Sequence, residues 1–317
     1  MTDTQNEVFK TPVNKIRLFE HGAPGSQNLK LTRKYYTEDM PDGRVKHIVQ
    51  NITDPDIVPY IPDGIDNSID RQMIPAVLII PGGAFRRLVY NFEGEDVAKW
   101  LNSMGIAAFV LECRLPSDEH DNAEDVPLID AMRAMRVIRG RAQEFGIDEA
   151  KIGVMGFSAG GFMAALLSTA YESDVYADYK YKDEYDKLSA RPDFAVCSYP
   201  VISIDDCIEA GKRYMSEEQV LERISDSKAK ILHKYNPDKL VRPDMPPVFI
   251  CETDDDRTTL SENSVGFYMA ARKAGVSAEL HIFRTGGHGY GCGDDFAQTG
   301  EWKVLFTKWI KSIGITK

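Results

Sequence analysis

The chain has 317 residues, of which 43% are hydrophobic and 27% are charged. This composition is typical of a globular protein and excludes a disordered chain, and the length suits one large α/β domain. The 38 Lys and Arg residues stand against 49 Asp and Glu, so the formal net charge is −11. Nucleic acids and anionic membranes attract basic surfaces, and the charge therefore disfavours both as partners.

The start of the chain and its cysteines indicate the cellular compartment. The first ten residues, MTDTQNEVFK, contain no apolar segment of a signal peptide, and no apolar run is long enough to span a membrane. The five cysteines are odd in number and form no CxxC pair, which fits neither a disulfide scaffold nor a zinc site. We therefore expect a cytoplasmic protein with reduced, mostly buried thiols.

The N-terminal quarter differs in composition from the rest of the chain. Residues 1–75 are polar and rich in Asp and Pro, and short extended runs at 45–51 and 56–60 predict strands that lead antiparallel into a sheet. We interpret residues 1–75 as an N-terminal extension.

From residue 76 onward, apolar runs alternate with amphipathic segments. The predicted strands are 76–80, 106–111, 151–155, 194–198, 248–251 and 278–283. The predicted helices are 93–104, 127–145, 158–170, 261–273 and 301–313. Such regular alternation predicts a mostly parallel central sheet with helices on both faces, in a single α/β domain spanning residues 1–317.

Two stretches exceed the length of an ordinary connecting loop. Residues 171–191 are dense in Tyr, Asp and Lys, and residues 203–245 are mixed helical and charged. We expect both to be cap-like insertions over the edge where the parallel strands have their carboxyl ends. The tyrosines and aspartates of the first stretch fit either a sugar-binding rim or a solvated charged surface, and the second interpretation is favoured.

The pentapeptide GFSAG at 156–160 matches the pattern GxSxG. It stands between a predicted strand and a predicted helix, as in a nucleophile elbow, where a sharp turn exposes the serine hydroxyl. The alternative is an ordinary glycine-rich turn. Ser158 is therefore a candidate nucleophile.

A serine hydrolase also needs backbone N–H groups directed at the oxyanion that develops during the reaction. Ala159 follows the candidate serine, and Gly83 and Ala84 follow the strand 76–80 at the same edge of the sheet. These three amides are candidates for an oxyanion hole, although a turn without a ligand is the alternative for the loop after residue 80.

Serine is a poor nucleophile without an adjacent base. Among six histidines, His288 lies in the glycine-rich GGHGYG just beyond the predicted strand 278–283, whereas His281 lies inside that strand. A loop at the carboxyl end of a strand allows an imidazole to reach the nucleophile. His288 is thus the candidate base, with an unremarkable surface-loop residue as the alternative.

Three acids, Asp254, Asp255 and Asp256, follow the predicted strand 248–251 directly. The α/β-hydrolase order of serine, acid and histidine places the orienting carboxylate after such a late strand. Their chemistry alone does not rank the three. A metal site is the alternative, but hard cations need oxygen ligands at defined loop spacings and no EF-hand-like pattern is present.

Six segments of this chain, taken in order, resemble one family. They are AVLIIPGGAF, EGEDVAKWLNSMGIAAFVLECRLP, IDAMRAMRVIRGRAQEFGIDEAKIGVMGFSAGGFMAA, RPDFAVCSYPVIS, MPPVFICETDD and AELHIFRTGGHGYG. Together they resemble α/β-hydrolase esterases of the acetyl xylan esterase-like, carbohydrate esterase-like (BD-FAE-like) kind. The resemblance covers residues 76–293, with a weaker echo in FEHGAPGS at 19–26.

The resemblance implies roles for the candidates above. The family nucleophile falls on Ser158 and the base on His288. The oxyanion-hole amides fall on Gly83, Ala84 and Ala159. The acid falls best on Asp256, although the Val-Pro that usually follows it is lost, and Asp255 is the second choice. Relatives commonly have a third glycine where this chain has Ala84, whose methyl group restricts φ.

The function implied by the resemblance is hydrolysis of short-chain acyl esters, above all acetyl esters of sugars or oligosaccharides. The serine, histidine and aspartate would act through an acyl-enzyme, with no cofactor and no metal. Two alternatives stay open: a serine peptidase or amidase on the same fold, and a catalytically silent binding protein.

Overall fold

The computed structural model describes Phe9 and residues 13–63, 73–216, 218–220, 230–293 and 297–317. Within these residues the central sheet has eight strands in the order β1-β4-β7-β5-β8-β9-β10-β11. Its strands are β1 Ile16–Arg17, β4 Asp56–Tyr60, β5 Ile74–Ile80, β7 Ala107–Glu112, β8 Ile147–Phe157, β9 Ala195–Ser198, β10 Val248–Thr253 and β11 Ala278–Phe283.

Neighbouring strands from β7 through β5, β8, β9 and β10 to β11 are all parallel. The antiparallel pairs of this sheet lie at one edge, where β1 pairs with β4 and β4 pairs with β7. Strands β7 and β10 are buried along their whole length, as continuous apolar runs covered by helices on both faces require. The predicted mostly parallel α/β sheet is thereby confirmed.

One predicted strand joins a different sheet. The strand expected at 45–51 is β3 Val45–Gln50, which pairs with β2 Lys34–Asp39 and β6 Leu88–Val89 in a separate three-stranded sheet. A tight turn at Gly43, with φ of 83°, returns the chain so that β3 lies against β2. Because the hairpin satisfies these backbone groups locally, β3 does not extend the central sheet.

Each predicted helical segment contains a helix, although two segments depart from a single continuous α-helix. The helices are α1 Asp96–Ser103, α2 Val126–Gly140, α3 Ala142–Phe145, α4 Ala159–Ala170, α5 Ile204–Tyr214, α6 Lys230–Lys234, α7 Ser261–Lys273 and α8 Ala297–Ser312. Helices α5 and α6 lie in the segment 203–245. The helix expected at 127–145 is interrupted at Arg141, because Gly140 is a weak helix former packed against the ring of Tyr185. The helix expected at 93–104 begins instead as a π-turn, Asn91–Glu95, that continues into α1.

The segment 171–191 follows α4 and packs along α2. Arg133 forms an ion pair with Asp183, and Arg139 donates to the carbonyl of Ser189. The role of this segment as a cap-like insertion stays a prediction.

The segment 203–245 does begin at the carboxyl edge. The N–H of Ser203 donates to Asn263 Oδ1 at the start of α7, and Lys234 pairs with Asp125 at the start of α2 at 2.7 Å. Residues 217 and 221–229 of this segment lie outside the described residues. Its function as a cap stays a prediction, as does the single-domain boundary at 1–317.

The core runs continuously beneath both faces of the sheet. Trp302, Phe306 and Trp309 of α8 are buried, in keeping with the expected terminal helix. The side chains of four of the five cysteines are described; these four form no disulfide with one another and are buried, and the side chain of Cys207 lies outside the described residues. In the described part of the chain, no helix is both long and apolar enough to cross a membrane.

Candidate active site

Ser158 occupies the sharp turn between β8 and α4. Its backbone has φ of 53° and ψ of −118°, a conformation that L-residues rarely adopt. A Cβ at Gly156 would lie 1.9 Å from the carbonyl oxygen of Gly160, and a Cβ at Gly160 would lie 1.9 Å from that of Ile80. Both glycines of GxSxG are therefore required by close backbone packing, which is what distinguishes this elbow from an ordinary turn.

The structure brings Ser158, His288 and Asp256 together in one hydrogen-bonded line. His288 Nε2 lies 2.8 Å from Ser158 Oγ, and His288 Nδ1 lies 2.6 Å from Asp256 Oδ2. Three different loops supply them, after β8, β10 and β11. Since these parallel strands end at the same edge, the sheet carries residues that are 130 positions apart into contact.

Of the three adjacent acids, Asp254 and Asp255 are exposed and only Asp256 is buried. Asp256 is buried, and its Oδ1 accepts the N–H groups of Thr258 and Thr259 at 2.7 and 2.9 Å. Burial by itself raises the pKa of Asp256, but the hydrogen bond and charge of His288 and these amide bonds outweigh it, so the net pKa is lowered. Asp255 is exposed and its Oδ1 accepts the N–H of Gly287 at 2.8 Å, which ties down the histidine loop.

Thr259 was missed by the sequence reasoning. Its hydroxyl lies 3.0 Å from Asp256 Oδ2 and 3.3 Å from His288 Nδ1. It stands where the family usually has the valine of Val-Pro, so the departure from that pattern was the available signal. The threonine supplies a further polar contact to the acid and the base.

The loop after β5 lies directly against the candidate nucleophile. A Cβ at Gly82 would come within 2.9 Å of Ser158 Cβ, and Gly82 and Ala159 line the same small cavity. Gly83 has φ of 136° and Ala84 has φ of 56°. Ala84 thus adopts a left-handed backbone that favours glycine, at a cost of about 1–2 kcal/mol. The three candidate amides, of Gly83, Ala84 and Ala159, therefore belong to segments that meet beside Ser158.

Two buried residues beneath the site join its loops. Glu93, in the π-turn before α1, accepts the N–H of Gly82 at 2.8 Å and the hydroxyl of Tyr199 at 2.9 Å. Burial raises the pKa of Glu93, and the nearby His288 opposes this effect. The sequence alone assigned no contact to Glu93 or to Tyr199.

Other polar residues near the edge serve the structure. Arg114 is fully buried and forms a salt bridge of 2.6 Å with Asp130, and it also donates to Ser26 in the N-terminal segment. His281 lies on β11, as expected, with its Nε2 2.7 Å from Glu279. Among the described residues, no group of three or more histidines, cysteines or acids could hold a metal ion.

Comparison with known proteins agrees with this architecture. Residues 65–270 match the family model described as BD-FAE. An acetylxylan esterase from Xylanibacter ruminicola is 31% identical over 244 residues, covering 76% of this chain and 46% of that protein. Endo-1,4-beta-xylanase B from Butyrivibrio fibrisolvens is 31% identical over 220 residues, which cover 69% of this chain and 33% of that protein. The chain thus spans less than half the length of these curated relatives.

Solved structures are similar over nearly the whole chain. An acetyl ester-xyloside bifunctional hydrolase from Caldicellulosiruptor lactoaceticus has 34% sequence identity and a TM-score of 0.71, covering 96% of this chain and 98% of that one. The carboxylesterase Cest-2923 from Lactobacillus plantarum has 20% identity and a TM-score of 0.67, covering 90% of this chain and 99% of that one. At this identity the similarity is evidence for the fold alone. The chain therefore belongs to the BD-FAE family and has the α/β-hydrolase fold, as its sequence motifs predicted.

Proposed function

We propose that the protein is a carboxylic ester hydrolase in which Ser158 is the nucleophile. The observation that carries the proposal is the continuous line of hydrogen-bond distances from Asp256 through His288 to Ser158. Nucleophile, base and orienting acid are thereby all within reach of one another, as an activated serine requires. The names of the family relatives, which include an acetylxylan esterase, support the same reaction class.

In this proposal His288 Nε2 takes the proton of Ser158 as the hydroxyl attacks the ester carbonyl. Asp256, accepting from Nδ1, keeps the imidazole in the tautomer whose Nε2 is free and stabilises the imidazolium that forms. The imidazolium then donates its proton to the leaving alcohol, which leaves the acyl group on Ser158. Water, activated in turn by His288, releases the acid and restores the serine.

The oxyanion of each tetrahedral intermediate would be held by backbone amides. Ala159 begins α4, where N–H groups have no partner within the helix, and its amide is oriented by the elbow. Gly83 and Ala84 would supply the others from the loop that lies against Ser158. Stabilisation by one such donor is typically worth about 10²- to 10³-fold in kcat.

The substrates we propose are acetyl esters of sugars or short oligosaccharides. Two relatives support this choice by their names, an acetylxylan esterase and an acetyl ester-xyloside bifunctional hydrolase. The residues 171–191, for which the sequence favoured a solvated charged surface over a sugar-binding rim, pack along α2 and take no part in this proposal. A peptidase or amidase would use the same three residues, and no observation favours it over the esterase.

The test is acetate release from acetylated xylo-oligosaccharides, measured alongside p-nitrophenyl acetate, p-nitrophenyl butyrate and an aminoacyl anilide. We expect the wild type to hydrolyse the acetyl esters at least about 10³-fold faster than Ser158→Ala, because the mutant lacks the nucleophile. Wild-type turnover that is no faster than that of Ser158→Ala would leave the binding-protein alternative. A clear preference for the anilide would make the protein an amidase.

A further inference from the structure

Tyr199 is in contact with most of the loops that carry the site. It follows β9 and is fully buried. Its N–H donates to the carbonyl of Cys251 on β10 at 2.7 Å, and its carbonyl accepts the hydroxyl of Thr259 at 3.2 Å. Thr259 in turn contacts Asp256 and His288. The backbone of Tyr199 is therefore joined to the loop of the orienting acid.

The side chain of Tyr199 reaches the loop of the base. Its hydroxyl accepts the N–H of Gly291 at 3.1 Å, three residues beyond His288. The ring packs edge-on against the imidazole of His288, with 5.0 Å between centroids. The same hydroxyl donates to Glu93 Oε1 at 2.9 Å.

Glu93 carries this connection to the loop that offers the oxyanion amides. Its second oxygen, Oε2, accepts the N–H of Gly82 at 2.8 Å, and Gly82 lies against Ser158. The carboxyl group is buried, and both of these bonds come from neutral donors. Such a group is costly to bury, and here each of its oxygens is bonded to a different loop of the site.

The backbone of Tyr199 is held in a conformation that its sequence does not favour. Its φ is 37°, in the left-handed region, which costs about 1–2 kcal/mol for a residue with a bulky side chain. Strain of this kind persists only where the surrounding contacts fix it, and it concentrates at functional sites. The contacts that fix it are the bonds to Cys251, Thr259 and Glu93.

We propose that Glu93 and Tyr199 are positioning residues of the hydrolase. Their hydrogen-bonded chain from Gly82 to Gly291 sets the distance between the oxyanion loop and the histidine loop, so that Ser158, His288 and the oxyanion amides act on one carbonyl. The inference rests on the proposed function, because it assigns what these residues do for that reaction. Burial raises the pKa of Tyr199, which favours a neutral phenol that can donate.

The test compares kcat and KM of Tyr199→Phe and Glu93→Gln with the wild type on p-nitrophenyl acetate. Rates are given per active site, counted by titration with a p-nitrophenyl phosphonate that reacts with Ser158. We expect kcat to fall about 10- to 100-fold in each variant with KM changed by less than about twofold, because a misplaced oxyanion loop weakens contacts made in the transition state. The double variant should lose little more than either single one, since both break the same chain.

Tyr176→Phe is the matched control. Tyr176 is buried beside α2, and its hydroxyl donates to the carboxylate of Asp186 at 2.9 Å, the same type and length of bond as that from Tyr199 to Glu93. It lies on the segment 171–191, away from the site. Its loss should lower the thermal midpoint as Tyr199→Phe does, while kcat per active site stays at the wild-type value.

Failure of this inference and failure of the proposed function give different results. If Tyr199→Phe and Glu93→Gln keep wild-type kcat per titrated site and only melt earlier, the two residues are structural and the positioning proposal is overturned. If the wild type itself shows no turnover that depends on Ser158, the proposed function is overturned before either variant is made.

Discussion

Left-handed backbone at residues other than glycine concentrates around the site. Of the seven such residues in the described part of the chain, Ala84, Phe85, Ser158 and Tyr199 lie on the loops after β5, β8 and β9. Each costs about 1–2 kcal/mol, and none of these costs is needed to form the sheet. The backbone strain is therefore located where the loops bring amides, the serine hydroxyl and the buried tyrosine together.

Asp256→Asn is the sharpest test at the residue scale. The amide that replaces Oδ2 would face His288 Nδ1, which favours the wrong tautomer of the imidazole. We expect kcat on p-nitrophenyl acetate to fall by about 10³- to 10⁴-fold, as in other hydrolases with this arrangement, with the fold retained.

Asp255→Asn is the matched control for that variant. Its carboxylate caps the N–H of Gly287 from an exposed position, and an amide oxygen can accept the same bond. Its kcat should stay within about threefold of the wild type. A larger loss of kcat in Asp255→Asn than in Asp256→Asn would assign the orienting role to Asp255.

At the scale of elements, identical glycines have different roles according to what packs on them. Gly140, the last residue of α2, faces Tyr185 of the segment 171–191, and a Cβ there would lie 2.4 Å from that ring. Gly266, inside α7, has no atom within 4 Å of the position of a Cβ. Helix propensity treats the two alike, whereas packing separates them.

The Gly→Ala pair at these positions measures that separation. Gly266→Ala should raise the free energy of unfolding by about 0.5–1 kcal/mol, because alanine loses less backbone entropy in a helix. Gly140→Ala should lower it by about 1 kcal/mol or more, since the ring of Tyr185 must move. Urea unfolding gives both values. Equal stabilisation by the two substitutions would mean that the segment 171–191 does not pack on α2 as described.

At the scale of the whole molecule, the N-terminal segment is tied to the domain through buried polar groups. Ser26 of the FEHGAPGS motif lies 3.0 Å from His120 Nδ1 and also accepts from Arg114. His120 is buried, and its Nε2 has no hydrogen-bond partner among the described residues. Burial, with the charge of Arg114, lowers the pKa of His120 to about 4.

His120 should make the protein less stable in mild acid. The unfolded chain binds a proton at this histidine below about pH 6.5, whereas the folded protein binds it only below about pH 4. The unfolded state therefore holds more protons between these values, and the free energy of unfolding falls as the pH falls through that range, by no more than about 3 kcal/mol.

Urea unfolding of wild type and His120→Gln between pH 7 and pH 4 checks this expectation. The variant lacks the titrating group, so its stability relative to the wild type should rise toward acid pH. The comparison is between the two proteins because buried Asp56 and half-buried Asp118, each with a pKa raised to about 6, act in the opposite sense. A stability difference that is independent of pH would contradict the buried, neutral His120.

Sequence reasoning reached furthest where the signal is local. Strands β4 and β11 and helix α7 have the predicted bounds, because apolar runs and helical periodicity are properties of neighbouring residues. Ser158 and His288 could be singled out because glycines around each mark tight turns after a strand. The choice of Asp256 among three acids came from a family resemblance and not from the chemistry of the residues.

By itself, the sequence determined the α/β class, the order of the elements and the loops that carry the candidate residues, since each depends on short-range patterns. Only the tertiary structure decided the remaining features, because they depend on contacts between residues far apart in the chain. It turned Asp256 toward His288 and Asp255 toward Gly287. It also packed 171–191 on α2 through Arg133 and Arg139. It joined Glu93 to Tyr199 across 106 positions.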